Sequence, residues 1–328
     1  MTKLRWGILG VANINNRLLP AFAKAASAEL RAIASRSLAK AQAAAKAANI
    51  PIAHGGYDAL LDDPTVDAVY NPLPNTLHGE WTKKAAERGK HVLCEKPLMP
   101  TAAAARDVID YCRARGVTLI DGFMWPHHPR TARLRELLDQ GGIGPVQRVA
   151  GAFTFRMHPL DPSNIRLKPE LGGGSLLDVG CYPVYGIRWV FGAEPVQVLA
   201  TARYEFGVDV EMNGQVWLAD GRVGVFDCGF VHPYRGWLEI TGTEGVVRVP
   251  DMWVPPPRAT FEIRRGERYD VEEVVVEGQD QIVHMIENFS RAVLENKPIH
   301  PPPEEAVKTL RVLDALGRSA RENKVVVV

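Results

Sequence analysis

Short apolar runs alternate with longer alanine-rich segments over residues 1–122 of the chain. The runs are rich in Val, Ile and Leu, which is typical of buried strands, and the longer segments repeat apolar residues at helical spacing. The pattern predicts strands at Leu4–Gly10, Leu30–Ser35, Val66–Asn71, His91–Cys94 and Val117–Asp121. It predicts helices at Pro20–Ala26, Leu38–Ala48, Leu77–Arg88 and Ala102–Arg115. This alternation indicates βαβ units that form a doubly wound parallel sheet, and hence an α/β fold.

The pattern changes after Gly122. It predicts, in order, a helix, a long strand, a Pro/Gly-rich loop and a helical stretch ending near Phe191: Thr131–Gln140, Val146–His158, Pro159–Gly174 and 175–191. Residues 196–276 are strand-like, with a two-residue hairpin turn at Asp220-Gly221, and helices are predicted at Gln279–Glu295 and Glu304–Glu322. Grouped strands of this kind favour a large open, mostly antiparallel sheet with helices on one face. The chain therefore divides into a doubly wound domain at 1–122 and an α+β domain at 123–328.

Composition excludes several classes of partner. The chain has 39 Lys and Arg against 38 Asp and Glu, a net charge of +1, so neither nucleic acid nor a membrane surface is expected to bind it. The four cysteines are far apart and lie in apolar stretches, which favours buried thiols in a reducing compartment. The first strand begins at Leu4, before a signal peptide could fit, and no apolar run reaches the ~18 residues of a membrane span. We expect a cytoplasmic protein.

The first strand runs into a degenerate dinucleotide fingerprint, Gly10–Asn15. Gly10 holds the first glycine place of G-x-G-x-x-G, whereas Ala12 and Asn15 hold the other two. The context of strand, turn and helix is the one that the fingerprint requires, and Ala12, Asn13 and Ile14 would present backbone N–H groups to a pyrophosphate. The alternative is that Gly10 only permits a tight turn.

The second predicted strand ends in Ala34-Ser35-Arg36-Ser37, without an acidic residue. An NAD enzyme usually places Asp or Glu there to bind the ribose hydroxyls. Arg36 would instead bind a 2′-phosphate, supported by the hydroxyl groups of Ser35 and Ser37. NADP is therefore the favoured cofactor and NAD remains possible. The alternative is an exposed arginine on a loop.

The loop Asn71–His78 carries two prolines at the ligand edge of the predicted sheet. We predict that Leu73, Asn75 and His78 contact the cofactor. Capping of the next helix explains Asn75 equally well, and a lone histidine such as His78 is more often packed than catalytic.

Glu95-Lys96-Pro97 follows the strand at His91–Cys94. Ligands bind at the carboxyl ends of strands in open α/β sheets, so Lys96 lies where a cofactor would bind, with Glu95 beside it. Pro97 fixes its own φ and disfavours helical geometry at Lys96. An ammonium group there could hold a substrate oxygen. The alternative is a solvated lysine paired with Glu95.

The segment Gly172–Tyr182 carries the remaining candidate groups. If Ser175 caps a helix, Asp178 and Tyr182 lie four residues apart on one helical face. Pro183 leaves two possibilities, a kinked helix or a new helix that begins with this proline. Ser175 and Asp178 could instead form a capping box, and Tyr182 could be an ordinary half-buried aromatic residue.

Together these motifs resemble the glucose–fructose oxidoreductase / inositol dehydrogenase / MocA family over essentially the whole chain. The resemblance implies a Rossmann domain, an α/β domain with an open sheet, a nicotinamide site, and Lys96 and Asp178 beside the reacting carbon. Inositol dehydrogenases carry histidine where this chain has Tyr182. With tyrosine at this position, the chain resembles the dihydrodiol dehydrogenase, xylose dehydrogenase and glucose–fructose oxidoreductase branch of the family. That branch favours NADP.

The segment Met124–Pro129 resembles the part of these proteins that crosses between domains, and this places Trp125 near the nicotinamide. No metal site is predicted, because His127 and His128 have no acidic or cysteine ligand nearby in sequence. Three further residues flank the expected substrate opening and either bind substrate hydroxyls or form surface ion pairs: Arg156, His158 and Arg166.

The resulting hypothesis is hydride transfer between NADP(H) and a hydroxyl or hemiacetal carbon of a sugar, polyol or cyclic diol. Tyr182 would be the general base, Lys96 would lower the pKa of the Tyr182 hydroxyl, and Asp178 would orient the substrate. One alternative is an NADPH-dependent keto-sugar or imine reductase, and another is a catalytically silent NAD(P)-sensing regulator. A homodimer or homotetramer through the C-terminal sheet is expected.

Overall fold

The computed structural model describes residues 2–266, 270–278 and 280–328. The chain forms two compact units. The first comprises Met1–Met124 and Asp280–Val307, and the second comprises Trp125–Gln279 and Lys308–Val328.

The first unit contains a parallel sheet with helices in the connections. Its strands are β1 (Leu4–Leu9), β2 (Ala28–Ala34), β3 (Ile52–His54), β4 (Ala68–Asn71), β5 (His91–Cys94) and β6 (Leu119–Asp121). The connections contain α1 (Asn15–Lys24), α2 (Leu38–Ala48), α3 (Tyr57–Leu61), α4 (His78–Glu87) and α5 (Ala102–Arg113). The six strands are ordered β3-β2-β1-β4-β5-β6, which is the doubly wound order of dinucleotide-binding folds. The predicted parallel sheet is therefore confirmed.

Two details of this unit differ from the sequence prediction. Helix α1 begins at Asn15 and contains Pro20, which the prediction placed at its start. The short elements β3 and α3 were missed, because three and five residues are too few to show a period.

The second unit contains a nine-stranded, mostly antiparallel sheet. In chain order its elements are α6 (Pro129–Asp139), β7 (Val146–Arg156), α7 (Cys181–Phe191), β8 (Gln197–Glu205), β9 (Val208–Trp217), β10 (Val223–Gly229), β11 (Val231–Gly242), β12 (Gly245–Val249), β13 (Arg258–Arg265), β14 (Val271–Glu277) and β15 (Val326–Val327). The strand order is β14-β13-β12-β11-β7-β10-β9-β8-β15, and β7 and β10 are parallel neighbours. This architecture confirms the predicted fold class.

The hairpin predicted at Asp220-Gly221 joins β9 to β10. Within this pair only Gly221 has a positive φ, 86°, whereas a two-residue type I′ turn requires positive φ at both residues. The turn is closed by a bond from Leu218 N to Arg222 O, so its loop is one residue longer than predicted.

The last two helices are α8 (Gln281–Leu294) and α9 (Glu304–Glu322). The apolar face of α8 packs in the core of the first unit, where Trp6 lies 4.9 Å from Phe289 between ring centroids. Trp6 also donates from Nε1 to Ser290 Oγ at 3.1 Å. Residues 280–307 therefore cluster with the first unit, although the sequence placed all of 123–328 in the second domain. The predicted start of this helix, Gln279, lies outside the described residues.

All four cysteines are buried thiols, as predicted. Burial raises the pKa of Cys94 and of Cys228 well above the usual value, which disfavours the nucleophilic thiolate. Among the described helices, none has the length and apolar character that a membrane span requires.

Candidate active site

The turn after β1 keeps the geometry of the dinucleotide fingerprint with only one of its glycines. Gly10 has φ of 112°, a conformation that disfavours every side chain, and a Cβ atom there would lie 3.3 Å from Leu73. Asn15 holds the third glycine place, is buried, and donates from Nδ2 to Gly10 O at 2.9 Å. No side chain caps α1, whose N-cap position is Ile14. The first-turn N–H groups of Asn15, Asn16 and Arg17 donate instead to the backbone carbonyls of Ala12, Asn13 and Ile14, at 3.0, 3.2 and 3.0 Å. The positive end of the helix dipole still favours an anion at this turn.

The end of β2 presents one exposed cation. Ser35 is buried and its Oγ accepts a hydrogen bond from Ser37 N at 3.3 Å, while Ser37 Oγ caps α2 through Lys40 N at 3.4 Å. Arg36 between them is exposed, and no carboxylate in the described part of the chain pairs with it. A phosphate on an adenosine ribose fits this arrangement, because it supplies a negatively charged partner for the Arg36 guanidinium.

His78 lies in the interior of the first unit, with no exposed surface. Its Nε2 is 2.7 Å from Leu73 O, and its Nδ1 is 3.1 Å from Pro97 O and 3.2 Å from Leu98 O. Burial lowers the pKa of His78, and the charge of Lys96 acts in the same direction. The ring lies between the loop after β4 and the turn that carries Lys96, and in its neutral form it donates to carbonyl oxygen from one of its two nitrogens only. Both ring nitrogens face backbone carbonyls, which suits a residue that positions these loops, and the predicted contact of His78 with the cofactor stays a prediction.

Asn75 does not hold the N-cap position of α4, which was the alternative to a cofactor contact. Asn75 begins a 3₁₀ turn, Asn75–Leu77, and the N-cap position of α4 is Leu77, which makes no side-chain cap. The amide that orders this region is Asn71, which is fully buried. Its Nδ2 donates to His78 O and Thr82 Oγ1, both at 3.3 Å. The predicted contact between Asn75 and the cofactor stays a prediction, as does that of Leu73.

Lys96 follows β5 at the carboxyl edge of the parallel sheet, as predicted. It is half-buried rather than solvated. Its neighbour Glu95 accepts hydrogen bonds from the Tyr70 hydroxyl and, at 3.3 Å, from the backbone N–H of Lys96. The ligand edge of this unit therefore carries an ammonium group on a backbone that its neighbours hold in place.

The capping box predicted between Ser175 and Asp178 is absent, and the cap comes from another strand. Ser175 Oγ donates to Asp209 Oδ2 at 2.7 Å, and Leu176 N donates to the same oxygen at 2.6 Å. Gly174 has φ of 114°, and a Cβ atom there would collide with Asp209 Oδ1. The last glycine of Gly172-Gly173-Gly174 thus makes room for Asp209, a residue that the sequence analysis missed.

Asp178 lies on a π-helical turn, Leu176–Gly180, that leads directly into α7. The alternative of a new helix that begins with Pro183 is wrong, because α7 begins at Cys181. The irregular turn lies before the proline and is a π turn, which is one of the causes of a helix kink. Pro183 occupies the first turn of α7, where its missing N–H costs little, and the wider π turn precedes it. A Cβ atom at Gly180 would lie 2.8 Å from Cys228 Sγ, so this turn packs closely on β10. Single π turns of this kind are frequent at functional sites.

Asp178 forms an ion pair with Arg166. Arg166 Nε donates to Asp178 Oδ2 at 2.6 Å, and the two side chains are 41% and 18% exposed. The charge of Asp178 raises the pKa of Arg166, and Tyr182 acts in the same direction. The structure therefore brings together three predicted site residues of the second unit. Arg156 and His158 are exposed at the end of β7 and beyond it, and their substrate contacts stay predictions.

Aromatic rings surround Tyr182 and Trp125 in the second unit. The Tyr182 ring lies edge-on to Phe153 at 4.9 Å and contacts Trp253 at 6.0 Å. Trp125 is fully buried, with ring centroids 5.1 Å from Tyr185 and 5.7 Å from Trp253. This packing fixes the Tyr182 ring. The expected contact between Trp125 and the nicotinamide stays a prediction.

One histidine of the Met124–Pro129 segment has a structural role. His128 Nδ1 caps α6 by accepting from Arg130 N at 3.1 Å. Within 2–266, 270–278 and 280–328, no group of three or more His, Cys, Asp or Glu side chains could hold a metal ion.

Comparison with known proteins places these features in one family. The model of an oxidoreductase family with an NAD-binding Rossmann fold, GFO/IDH/MocA, matches residues 4–123, and the GFO/IDH/MocA C-terminal domain matches residues 131–248. The chain is 37% identical over 318 residues to D-xylose 1-dehydrogenase (NADP(+)) 2 of Haloferax volcanii, covering 97% of each chain. It is 38% identical over 295 residues to the dTDP-3,4-didehydro-2,6-dideoxy-alpha-D-glucose 3-reductase of Streptomyces violaceoruber, covering 88% of this chain and 85% of the relative.

A solved structure extends the similarity to the fold. The 3-ketoreductase of Actinomadura kijaniata in complex with NADP and TDP-benzene superposes with a TM-score of 0.90 at 32% identity, over 97% of this chain and 98% of that one. The resemblance inferred from the motifs is thus confirmed, and the chain belongs to the GFO/IDH/MocA family of oxidoreductases.

Proposed function

We propose that the protein is an NADP-dependent oxidoreductase of sugar-like substrates. It transfers a hydride between the nicotinamide and a hydroxyl or hemiacetal carbon of a sugar, polyol or cyclic diol. The observation that carries this proposal is Lys96 at the carboxyl edge of a parallel sheet with the doubly wound strand order, in a chain that belongs to an oxidoreductase family.

The residues that would hold the cofactor lie at the same sheet edge. Gly10, with the backbone that follows it into α1, would bind the pyrophosphate, and Arg36 would bind the 2′-phosphate. The NADP in the name of the Haloferax relative and in the Actinomadura structure supports the same cofactor. When bound, the nicotinamide accepts or supplies the hydride.

Side chains of the protein transfer the proton and stabilise the negative charge that develops on the substrate oxygen. In the oxidation direction the substrate C–H bond gives up its electron pair with the hydrogen, the carbonyl π bond forms, and Tyr182 takes the hydroxyl proton. The Lys96 ammonium stabilises the developing negative charge on oxygen. Asp178, fixed by Arg166, orients a neighbouring substrate hydroxyl. The reverse steps reduce a carbonyl, with Tyr182 as the acid.

Sugar oxidation and keto-sugar reduction use the same residues in opposite directions. The Haloferax relative is named a dehydrogenase, whereas the Streptomyces and Actinomadura relatives are reductases. We therefore keep the NADPH-dependent keto-sugar reductase as the second candidate.

A substrate panel tests the proposal. Aldoses, polyols, cyclic dihydrodiols, keto-sugars and a cyclic imine are assayed with NADP(H) and NAD(H) by the absorbance of reduced nicotinamide. We expect turnover of at least one sugar, polyol or diol, with NADP preferred. Turnover of the keto-sugar alone would favour the second candidate. Tight cofactor binding without turnover of any compound would overturn the enzyme assignment in favour of a silent cofactor-sensing regulator.

We also propose that the nine-stranded sheet joins two copies of the chain as a homodimer or as part of a homotetramer. A cavity of about 490 Å³ opens at β11–β13 and is lined by Trp237 and by charges of both signs, including the pairs Glu239–Arg248 and Glu262–Arg264. A face with both signs can complement a second copy of itself. Trp237→Glu should yield monomers in light scattering, whereas Lys24→Glu should not. A monomeric native protein contradicts this proposal.

The compartment is a separate proposal. Four buried thiols fit a reducing, cytoplasmic setting. Recovery of the protein in an oxidising compartment on cell fractionation would refute it.

A further inference from the structure

Asp121 is a buried acid that the proposed reaction does not use. It ends β6, where it pairs in register with Cys94 of β5, and it is 8% exposed. Its Oδ1 has no hydrogen-bond partner among the described residues. A buried carboxyl oxygen without a donor is costly when the group is charged. An acid in this environment therefore requires a physical explanation.

The backbone at Asp121 is locked against the backbone that leads into Lys96. Gly122 N donates to Cys94 O at 2.7 Å. A Cβ atom at Gly122 would lie 2.8 Å from that oxygen, 3.0 Å from Glu95 Cα and 3.4 Å from Lys96 N. This close approach brings the backbone of Asp121-Gly122 against that of Glu95-Lys96 at two neighbouring strand ends.

The two carboxyl groups have opposite surroundings. Glu95 accepts hydrogen bonds from the Tyr70 hydroxyl and the Lys96 backbone, and such donors favour a carboxylate. Burial raises the pKa of Asp121 well above its usual value, and the charge of Glu95 acts in the same direction. Lys96 and the N–H of Gly122 oppose this shift. Among the described residues, the titratable groups that interact with these residues or with Lys96 include the Cys94 thiol and His78, whose pKa is lowered by burial.

We propose that Asp121 is a positioning residue for Lys96 and that it works as an uncharged carboxylic acid. This inference rests on the proposed function. A second carboxylate at this depth would attract the Lys96 ammonium strongly, because charges interact most in a low-dielectric interior. The ammonium would then be withdrawn from the substrate oxygen. A neutral acid fills the same space and leaves the charge of Lys96 available for the reaction.

Infrared difference spectroscopy tests the protonation state without requiring turnover. The native protein at neutral pH should show the carbonyl stretching band of a protonated carboxyl group, and the contribution of one group to this band should be lost in Asp121→Asn. The loss is measured as a difference between the two proteins, because burial also raises the pKa of Asp209. The matched control is Asp110→Asn, which removes an exposed acid paired with Arg113 and should keep the band. A band of unchanged intensity in Asp121→Asn, or the absence of the band from the native protein, overturns the proposal. Because this readout needs no substrate, it stands even if every substrate assay fails.

Kinetics test the positioning role. Asp121→Ala should lower kcat about tenfold and change KM for NADP by less than about threefold, because the lysine is displaced but the cofactor site is kept. Asp121→Asn should restore most of the lost kcat, since an uncharged isostere keeps the shape. In a Lys96→Met background, Asp121→Ala should cause no further loss of kcat. A kcat of Asp121→Asn as low as that of Asp121→Ala would show that the negative charge is needed and would refute the neutral acid. If Asp121→Ala does not fold, the asparagine variant and the infrared band decide the matter.

Discussion

Arg166 Nε donates to Asp178 Oδ2 across 2.6 Å, and this ion pair ties the loop after β7 to the π turn before α7. The bond gives Asp178 a fixed orientation. It also brings a guanidinium group close enough to Tyr182 for the two residues to interact electrostatically. Arg166 is therefore interpreted as a residue that acts through Asp178 rather than as an independent substrate contact.

Replacement of Arg166 tests this relationship. Arg166→Met should lower kcat/KM for the substrate about tenfold to a hundredfold, because Asp178 loses the partner that orients it. KM for NADP should change less than about twofold, since no cofactor contact is removed. Steady-state kinetics measure both values. Arg258→Met, which removes an exposed arginine in the same unit, is the control. Unchanged kinetics in Arg166→Met would show that the ion pair is only a surface contact.

Lys96 should be essential for turnover and dispensable for cofactor binding. Lys96→Met keeps the length and apolar stem of the side chain and removes its charge. We expect kcat to fall by about two to three orders of magnitude, the usual cost of losing one electrostatic stabiliser. NADPH affinity, measured by fluorescence titration, should stay within about threefold. Lys83→Met, which removes a surface partner of Asp107, serves as the control. Full activity of Lys96→Met would eliminate the assigned role.

Arg36 should select the phosphorylated cofactor. Arg36→Ala should raise KM for NADP by about tenfold or more and leave KM for NAD nearly unchanged, because a charge-assisted bond to a phosphate contributes roughly 1.5–3 kcal/mol. Both constants come from initial rates with one saturating substrate. Arg31→Ala, within β2 and paired with Glu29, is the control. Equal changes for the two cofactors would mean that Arg36 is a surface charge without selectivity.

The stability contribution of Asp121 should depend on pH with a defined sign. Its folded pKa lies above the unfolded value, so the folded protein keeps a proton that the unfolded chain releases. The contribution of Asp121 to the free energy of unfolding is fully present below the unfolded pKa, near ~4. It declines by about 1.4 kcal/mol per pH unit as the pH rises towards the folded pKa. Asparagine does not titrate. The free energy of unfolding of Asp121→Asn relative to the native protein should therefore rise between about pH 5 and 8 in urea titrations. A difference that does not vary with pH would contradict the raised pKa.

Asp209 should stabilise the turn that carries Asp178. Asp209→Ala removes the acceptor for Ser175 Oγ and Leu176 N and should cost about 1–3 kcal/mol of unfolding free energy. The turnover number should fall as well, because the π turn loses its anchor. Chemical denaturation and kinetics measure the two effects. Asp220→Ala in the exposed β9–β10 turn is the control and should have little effect on either quantity. Native stability in Asp209→Ala would show that the cap is replaceable.

Patterns that are local in sequence were sufficient for most of the fold. Alternating strands and helices identified the parallel sheet, because each buried strand and each amphipathic helix shows its own period. The elements β3 and α3 were too short for this signal. Helix α8 was predicted as a helix, but an apolar helical face does not show which sheet it covers. Its packing on Trp6, far away in sequence, decided that it belongs with the first unit.

Some features of the candidate site were also predictable from sequence, whereas others required the tertiary structure. The sequence by itself determined the positions of Gly10, Arg36 and Lys96, because strand ends and turn residues are encoded next to one another. Only the tertiary structure showed that His78 bridges two loops, that Asp209 rather than Ser175 caps the π turn, and that Arg166 pairs with Asp178. Each of these contacts joins residues from different elements. Their partners depend on strand register and side-chain packing, which no spacing within a single element records.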